Sequence, residues 1–276
     1  MQAGGGEKAL GRLWLLLVFA FLYLPIVALV VFSFTDSPVP NVWAGFSLRW
    51  YEKLWADTDL QRGLLRSLQL AACSATAATI LGTLAAVSLH HMRRHLGRSF
   101  YSALLRAPLV MPEVLVGLSL LLLLVSLQRA FGYPERGLLT IWIGHVLIGL
   151  AYATVVIVAR LRDLNPQLEE AAQDLGARPA QVFFLVTLPN IGQALMAAWL
   201  LTFTLSLDDV VIAAFLSGPG STTMPLMIFS RARLGLDPTV NALATVVIVV
   251  VAVFVTVASY MMAARERRRR AEQARG

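Results

Sequence analysis

Long apolar runs separated by short polar connections fall at about residues 13–34, 64–89, 103–127, 138–160, 194–216 and 239–263. A bilayer core takes roughly 20 apolar residues as a helix, so the pattern predicts an all-α polytopic membrane protein with six transmembrane helices and both termini on one side. The first run follows a glycine-rich tail, residues 1–12, and ends without a small-x-small cleavage site. It therefore reads as an uncleaved span that Pro25 can kink. In the second run Ala71, Ala75, Ala78, Gly82 and Ala85 share a face, which predicts close helix–helix approach. The third opens with Ala107-Pro108-Leu109-Val110-Met111-Pro112-Glu113. Two prolines there remove backbone donors, and the helix is expected to bend or break where protein or a water-filled cavity covers the freed groups. Gly144 and Gly149 are the expected packing points of the fourth run. Residues 1–60 then form a tail, first span and outer loop, 61–263 one continuous membrane unit, and 264–276 a basic tail.

Residues 160–193 break this pattern. They hold Asp163, Glu169, Glu170 and Asp174, four of the sixteen acids, with Arg160, Arg162 and Arg178. The spacing predicts two short helices. Asn165 can cap the first, Pro166 suits its first turn and Gly176 can end it in a left-handed conformation. Leu168, Ala171, Ala172 and Leu175 fall at i, i+3, i+4 and i+7 on one face. Glu169 and Glu170 sit at the positive end of the helix dipole. The second helix opens at Pro179, carries Val182, Phe183 and Val186 on an apolar face, and closes at Pro189. Such a segment can dock in a groove or lie on the membrane surface.

The run Glu170-Ala171-Ala172, Gly176 after three residues, then Val186-x-Leu188-Pro189 after nine more, resembles the cytoplasmic loop of binding-protein-dependent ABC importer permeases, EAA-x3-G-x9-I-x-L-P. Val186 replaces the isoleucine. The resemblance implies a coupling helix seated on a separate ATPase subunit, with Glu169, Glu170, Ala171, Ala172, Asp174, Gly176, Leu188 and Pro189 in the coupling loop.

Composition agrees with a membrane location: 58% of residues are hydrophobic and 14% charged, with a mean hydropathy of +0.70. With cytoplasmic termini, fourteen lysines and arginines fall inside and eight outside, so the positive-inside rule places residues 160–193 in the cytoplasm. The net charge of +7 rests largely on Arg265–Arg270 and Arg275. A basic cluster just after a span anchors topology on anionic lipid; no nucleic-acid module accompanies it. Cys73 is the single cysteine, which excludes an intramolecular disulfide. His90, His91 and His95 read as solvated surface, and His145 as a satisfied interior residue. Trp43, Trp50, Tyr51 and Trp55 read as interfacial anchors, and Met224 and Met227 as packing.

Glu113, Asp208 and Asp209 are the acids within the spans. A carboxylate there costs about 3 kcal/mol to insert and is usually paired or functional. One of the aspartates can line the route of a cation, or serve as a structural partner for Arg231, Arg233 or a backbone amide at a helix end. Ser206-Leu207-Asp208-Asp209, Phe215-Leu216-Ser217-Gly218-Pro219-Gly220 and Asn241-Ala242-Leu243-Ala244-Thr245 resemble spermidine and putrescine importer permeases. Val42-Trp43-Ala44-Gly45, Arg49-Trp50-Tyr51 and Ala107–Pro112 are similar to the putrescine branch in particular. That resemblance implies a second permease subunit, two ATPase subunits that bind the ATP, and a periplasmic polyamine-binding protein. The chain itself has no P-loop, no H-E-x-x-H and no G-x-S-x-G. An ion-coupled secondary transporter would share the membrane carboxylates but need no ATPase, and a membrane scaffold would move no solute.

Overall fold

The computed structural model describes residues 5–39, 41–92, 97–234 and 238–250, with positions 252, 253, 256 and 260. These residues form helices α1 (Gly5–Phe32), α2 (Arg49–Ala56), α3 (Thr58–His91), α4 (Gly97–Val110), α5 (Glu113–Phe131) and α6 (Leu138–Arg162). There follow α7 (Gln167–Asp174), α8 (Pro179–Asn190), α9 (Gly192–Asp208), α10 (Val211–Leu216), α11 (Met224–Leu234) and α12 (Thr239–Val250). No strand occurs among the described residues beyond an isolated bridge between Thr35 and Phe46. The protein is all-α. His95 and the arginine cluster from Arg265 lie outside the described residues.

Among the described residues four helices are long and apolar enough to cross a membrane: Leu10–Phe32 within α1, then α3, α5 and α6. The bent pair α8 and α9, at 70° to each other, makes a fifth when taken as one span. Two runs read from sequence as single spans are interrupted. The run 103–127 divides between α4 and α5 at Met111-Pro112, and the run 194–216 between α9 and α10 at Asp209-Val210. The sixth run is helical over Thr239–Val250, and most of its remainder is outside the described residues.

The chain has two compact units, residues 1–58 with 230–276, and residues 59–229. In the first, none of α1's most apolar stretch is buried, the state of a surface meant for lipid or another chain. The segment after it is tied by local hydrogen bonds. Trp50 Nε1 donates to the Thr35 carbonyl at 2.7 Å, the Tyr51 and Ser33 hydroxyls are 2.7 Å apart, and Arg49 pairs with Asp36 at 3.1 Å. Trp50 is thus buried as a staple, whereas Trp43 and Trp55 stay exposed, as anchors would be. Arg231 pairs with Asp57 at 2.7 Å.

The second unit is built on close helix contact. Ala71, Ala75, Ala78 and Ala85 of α3 are all buried. A Cβ on Gly82 would stand 2.7 Å from Ala153 Cβ, and one on Gly149 2.9 Å from Ala78 Cβ. Small residues let α3 and α6 approach so that dispersion replaces the missing hydrophobic drive. One core joins Val116, Leu120 and Leu124 of α5, Ile141 of α6 and Ile212, Ala213 and Leu216 of α10. A second joins Ala86, Ala153, Ile157, Leu161, Ile191 and Ala198. Met224 is buried, and Met227 Cε would stand 3.3 Å from a Cβ on Gly63, so both methionines pack.

Candidate functional site: a broken helix and an acid-lined cavity

At the end of α9 the chain turns at Asp209, which is extended (φ −66°, ψ 129°). Neither glycine nor proline marks the break. The Asp209 carboxylate makes it: Oδ1 accepts the Ile212 N–H at 3.2 Å, and Oδ2 accepts that of Ala213 at 2.8 Å. A helix start leaves backbone donors unsatisfied, and an aspartate cap supplies acceptors where lipid supplies none. His145 of α6 adds a third donor, with Nε2 3.1 Å from Asp209 Oδ2. An ionised carboxylate only accepts, so the ring carries its hydrogen on Nε2. In the neutral ring Nδ1 then accepts the Ser206 hydroxyl, 2.6 Å away. The His145 and Asp209 side chains are 2% and 10% exposed.

The far end of α10 is satisfied too. Thr140 Oγ1 donates to the Leu216 carbonyl at 2.8 Å, and Arg136 to that of Phe215 at 2.9 Å. A helix of six residues thereby keeps its ends paired. Its fully buried Ile212 and Leu216 rest on Gly144, where a Cβ would meet Ile212 Cγ2 at 2.5 Å and Leu216 Cδ1 at 2.9 Å.

Beside this break lies a cavity of about 270 Å³, lined among others by Glu113, His145, Thr202, Ser206, Asp208 and Asp209. Glu113 reaches it as the first residue of α5, after Pro112. Both interrupted runs therefore present an acid to the same cavity, and all three acids singled out in the spans meet there. They differ in state. Asp208 and Glu113 are exposed, and neither takes part in an ion pair among the described residues, whereas Asp209 is committed to two amides and an imidazole. The structural alternative foreseen for an aspartate, a backbone amide at a helix end, describes Asp209; Arg231 takes Asp57 instead.

The fifth run is divided where its apolar pattern predicts one continuous helix, and His145 is interior as its place in a span predicts, with partners that the pattern does not name. The available signal was Asp209 just ahead of the apolar Val210-Val211-Ile212-Ala213, an N-cap signature inside a span. Nothing in the sequence paired His145 with residues 61 and 64 positions away.

The polar segment folds as two short helices. Asn165 Oδ1 accepts the Gln167 N–H at 3.1 Å. At the other end Gly176 has φ +84°, its N–H donates to the Gln173 carbonyl at 2.8 Å, and that of Ala177 to Ala172 at 3.1 Å. This is the paired hydrogen-bond pattern of a Schellman turn. Glu169 is half-buried and accepts the Thr187 hydroxyl at 2.7 Å, joining α7 to α8. Glu170, Ala171 and Asp174 are exposed, and Ala172 is half-buried. Leu188 and Pro189 lie within α8, which runs on to Asn190 rather than closing at the proline. A π turn at Phe183–Thr187 precedes it. Pro189 cannot donate to Leu185 and would crowd that carbonyl, so a widened turn upstream accommodates it. Val182 packs inward, while Leu175, Phe184 and Leu185 are left exposed.

Residues 78–271 match the model of the family described as binding-protein-dependent transport system inner membrane component. The chain is 52% identical to the putrescine transport system permease protein PotI of Escherichia coli (strain K12), over 92% of this chain and 91% of that one. It is 36% identical to the spermidine/putrescine transport system permease protein PotC of the same strain, over 84% and 85% of the two chains. Among solved structures, a bacterial ABC transporter involved in the import of the acidic polysaccharide alginate has the same fold, with a TM-score of 0.73 at 17% identity over 94% of this chain and 98% of that one. The MetNI methionine ABC transporter shares it at a TM-score of 0.60 and 18% identity, over 76% and 96%. The chain is therefore a multi-pass permease subunit and not itself an enzyme, and it belongs to the binding-protein-dependent transport system inner membrane component family.

Proposed function

We propose that this chain forms half of the translocation pathway of an ATP-driven polyamine importer, with putrescine as its cargo. The observation that carries the substrate is the 52% identity over 92% of the chain to a relative named as a putrescine permease. The acid-lined cavity is its chemical counterpart. A diamine is a flexible dication at neutral pH, and moving it through a low-dielectric region requires carboxylates to replace water. Glu113, Asp208 and Asp209 supply negative charge beside Thr202 and Ser206 hydroxyls.

The remaining parts follow from the family. Six spans would put both termini on one side, and the lysine and arginine bias supports the cytoplasm for them and for residues 160–193, with residues 61–263 as the permease domain and the basic tail on anionic lipid. A second permease subunit completes the route, two ATPase subunits bind ATP, and a periplasmic polyamine-binding protein delivers the cargo. The α7–α8 knob, with Glu170, Ala171 and Leu175 exposed, docks on an ATPase and passes its closure to the spans. Energy shifts the transporter only through contacts that differ between its two states; the fixed Gly176 turn and the Glu169–Thr187 hydrogen bond keep the knob rigid enough to transmit them.

The test is ATPase activity of the purified complex in nanodiscs with its binding protein and putrescine, spermidine or no ligand. Stimulation by putrescine above spermidine is expected. Reversed stimulation moves the cargo to spermidine and equal stimulation widens it to both, the pair that the 36% identical relative's name includes. Uptake by this chain alone, with no ATPase co-purifying, overturns the mechanism.

A further inference from the structure

We propose that His145 is a positioning residue of the cation route: through Asp209 it fixes the break between α9 and α10, so that of two adjacent aspartates only Asp208 is presented to the cargo amine. This rests on the polyamine reading above. The two aspartates are neighbours in sequence but not in circumstance. Asp209 holds two backbone amides at 3.2 and 2.8 Å and the His145 ring at 3.1 Å. A mobile ammonium would have to compete with three donors already in place. Asp208 ends α9, is exposed on the cavity and has no ion pair among the described residues. It also sits where the carbonyl end of a 17-residue helix adds partial negative charge. The opposing positive end of α10 is covered by Asp209. A cation at Asp208 therefore meets two favourable terms and is shielded from the unfavourable one.

His145 is what joins the two sides of the break. Its Nδ1 lies 2.6 Å from Ser206 on α9, and its Nε2 bonds the residue that caps α10. Without the ring Asp209 loses the donor that holds Oδ2 from the α6 side, the break loses its tie to α6, and Asp208 is no longer held in place at the cavity. The His145 side chain is 2% exposed, so its effect on the cargo is exerted through Asp209.

The experiment is putrescine uptake kinetics by the complete complex in proteoliposomes, with Asp208→Asn, His145→Leu, His145→Gln and the double variant His145→Leu/Asp208→Asn. Asp208→Asn is expected to raise the apparent KM about tenfold, the scale of one charge-assisted hydrogen bond. His145→Leu should raise it about three- to tenfold. His145→Gln, whose amide N–H can reach Asp209, should recover most of that loss. In the double variant the KM should be no higher than for Asp208→Asn alone, because His145, through Asp209, acts on the cargo only by presenting Asp208, which is already removed. KM effects that multiply in the double variant overturn the proposal. So does a His145→Leu protein whose maximal rate or yield falls at unchanged KM, which marks a merely structural residue. If His145→Leu does not assemble, the same cycle is read with His145→Asn, whose shorter side chain can keep the Ser206 contact but falls short of Asp209. No putrescine uptake by the unmodified complex overturns the substrate reading first and this inference with it; normal uptake with multiplying effects overturns this inference alone.

Discussion

The two interrupted helices reach one cavity by different chemistry. Between α4 and α5 the break is written into the backbone: Pro112 has no N–H to donate, and its φ of −56° and ψ of 133° are those the ring enforces and tolerates. Between α9 and α10 every residue could continue a helix, and the break exists because a carboxylate, an imidazole and a hydroxyl hold it. The first break is favoured by the residue type at its centre. The second is a tertiary feature, and single side-chain changes can undo it.

The largest effect is therefore expected from Asp209→Ala. It strips two amides of their acceptor and leaves His145 Nε2 without a partner in a buried setting. A lost helix cap together with a lost charge-assisted hydrogen bond amounts to about 2–4 kcal/mol. Thermal unfolding of the assembled complex in detergent should show a correspondingly lower midpoint, with faster amide exchange at Ile212 and Ala213. An unchanged midpoint and unchanged exchange would mean that packing of Ile212 and Leu216 alone holds α10, and the contrast between the two breaks would collapse.

That contrast also explains what could be read from the sequence. The all-α membrane class, the small-residue faces of α3 and α6, the bend at the prolines and the Gly176 turn were legible because each follows from residue type and local spacing. Ala78 and Gly149 meet because neither has bulk to prevent it. The division of the fifth run had only the local cap signal at Asp209, whereas the burial of Trp50 against Thr35 and the roles of His145, Ser206, Arg136 and Thr140 were not legible. Each depends on a partner 15 to 79 positions away, and no period or propensity encodes such a pairing. The three acids were found because a carboxylate in a span is costly wherever it sits. Which of them is committed to structure is decided by the contacts of Asp209 with His145 and two backbone amides.

Gly176 belongs with Pro112, since its turn is also dictated by backbone chemistry. At φ +84° a β-branched residue is strained although nothing stands within 4 Å of the place its Cβ would take. Gly176→Val should cost about 1–2 kcal/mol locally, less than Asp209→Ala. Its consequence should be functional: because the Schellman turn sets the angle between α7 and α8, ATP hydrolysis by the complex should persist while putrescine uptake falls. Uptake at the unmodified ratio to hydrolysis would count against α7 as the coupling element.

The smallest effect is expected at Pro112→Ala. Alanine can adopt the same φ and ψ, and the donor it restores lies ahead of α5, where a helix start leaves donors unused in any case. What is lost is the restriction the ring places on the unfolded chain, about 0.4–1 kcal/mol. The midpoint should therefore move far less than for Asp209→Ala. Glu113 should still open α5 at the cavity, because Leu115 and Val116 donate to the residue 112 carbonyl, which alanine keeps. A variant in which α4 and α5 fuse, seen as slowed amide exchange across residues 109–115, would show that the ring enforced this break against the helix-forming tendency of its neighbours. If exchange stays as it was, packing of Val116 and Leu120 against α10 is enough to hold the start of α5 in place, and the two breaks differ in how they arise more than in how they are kept.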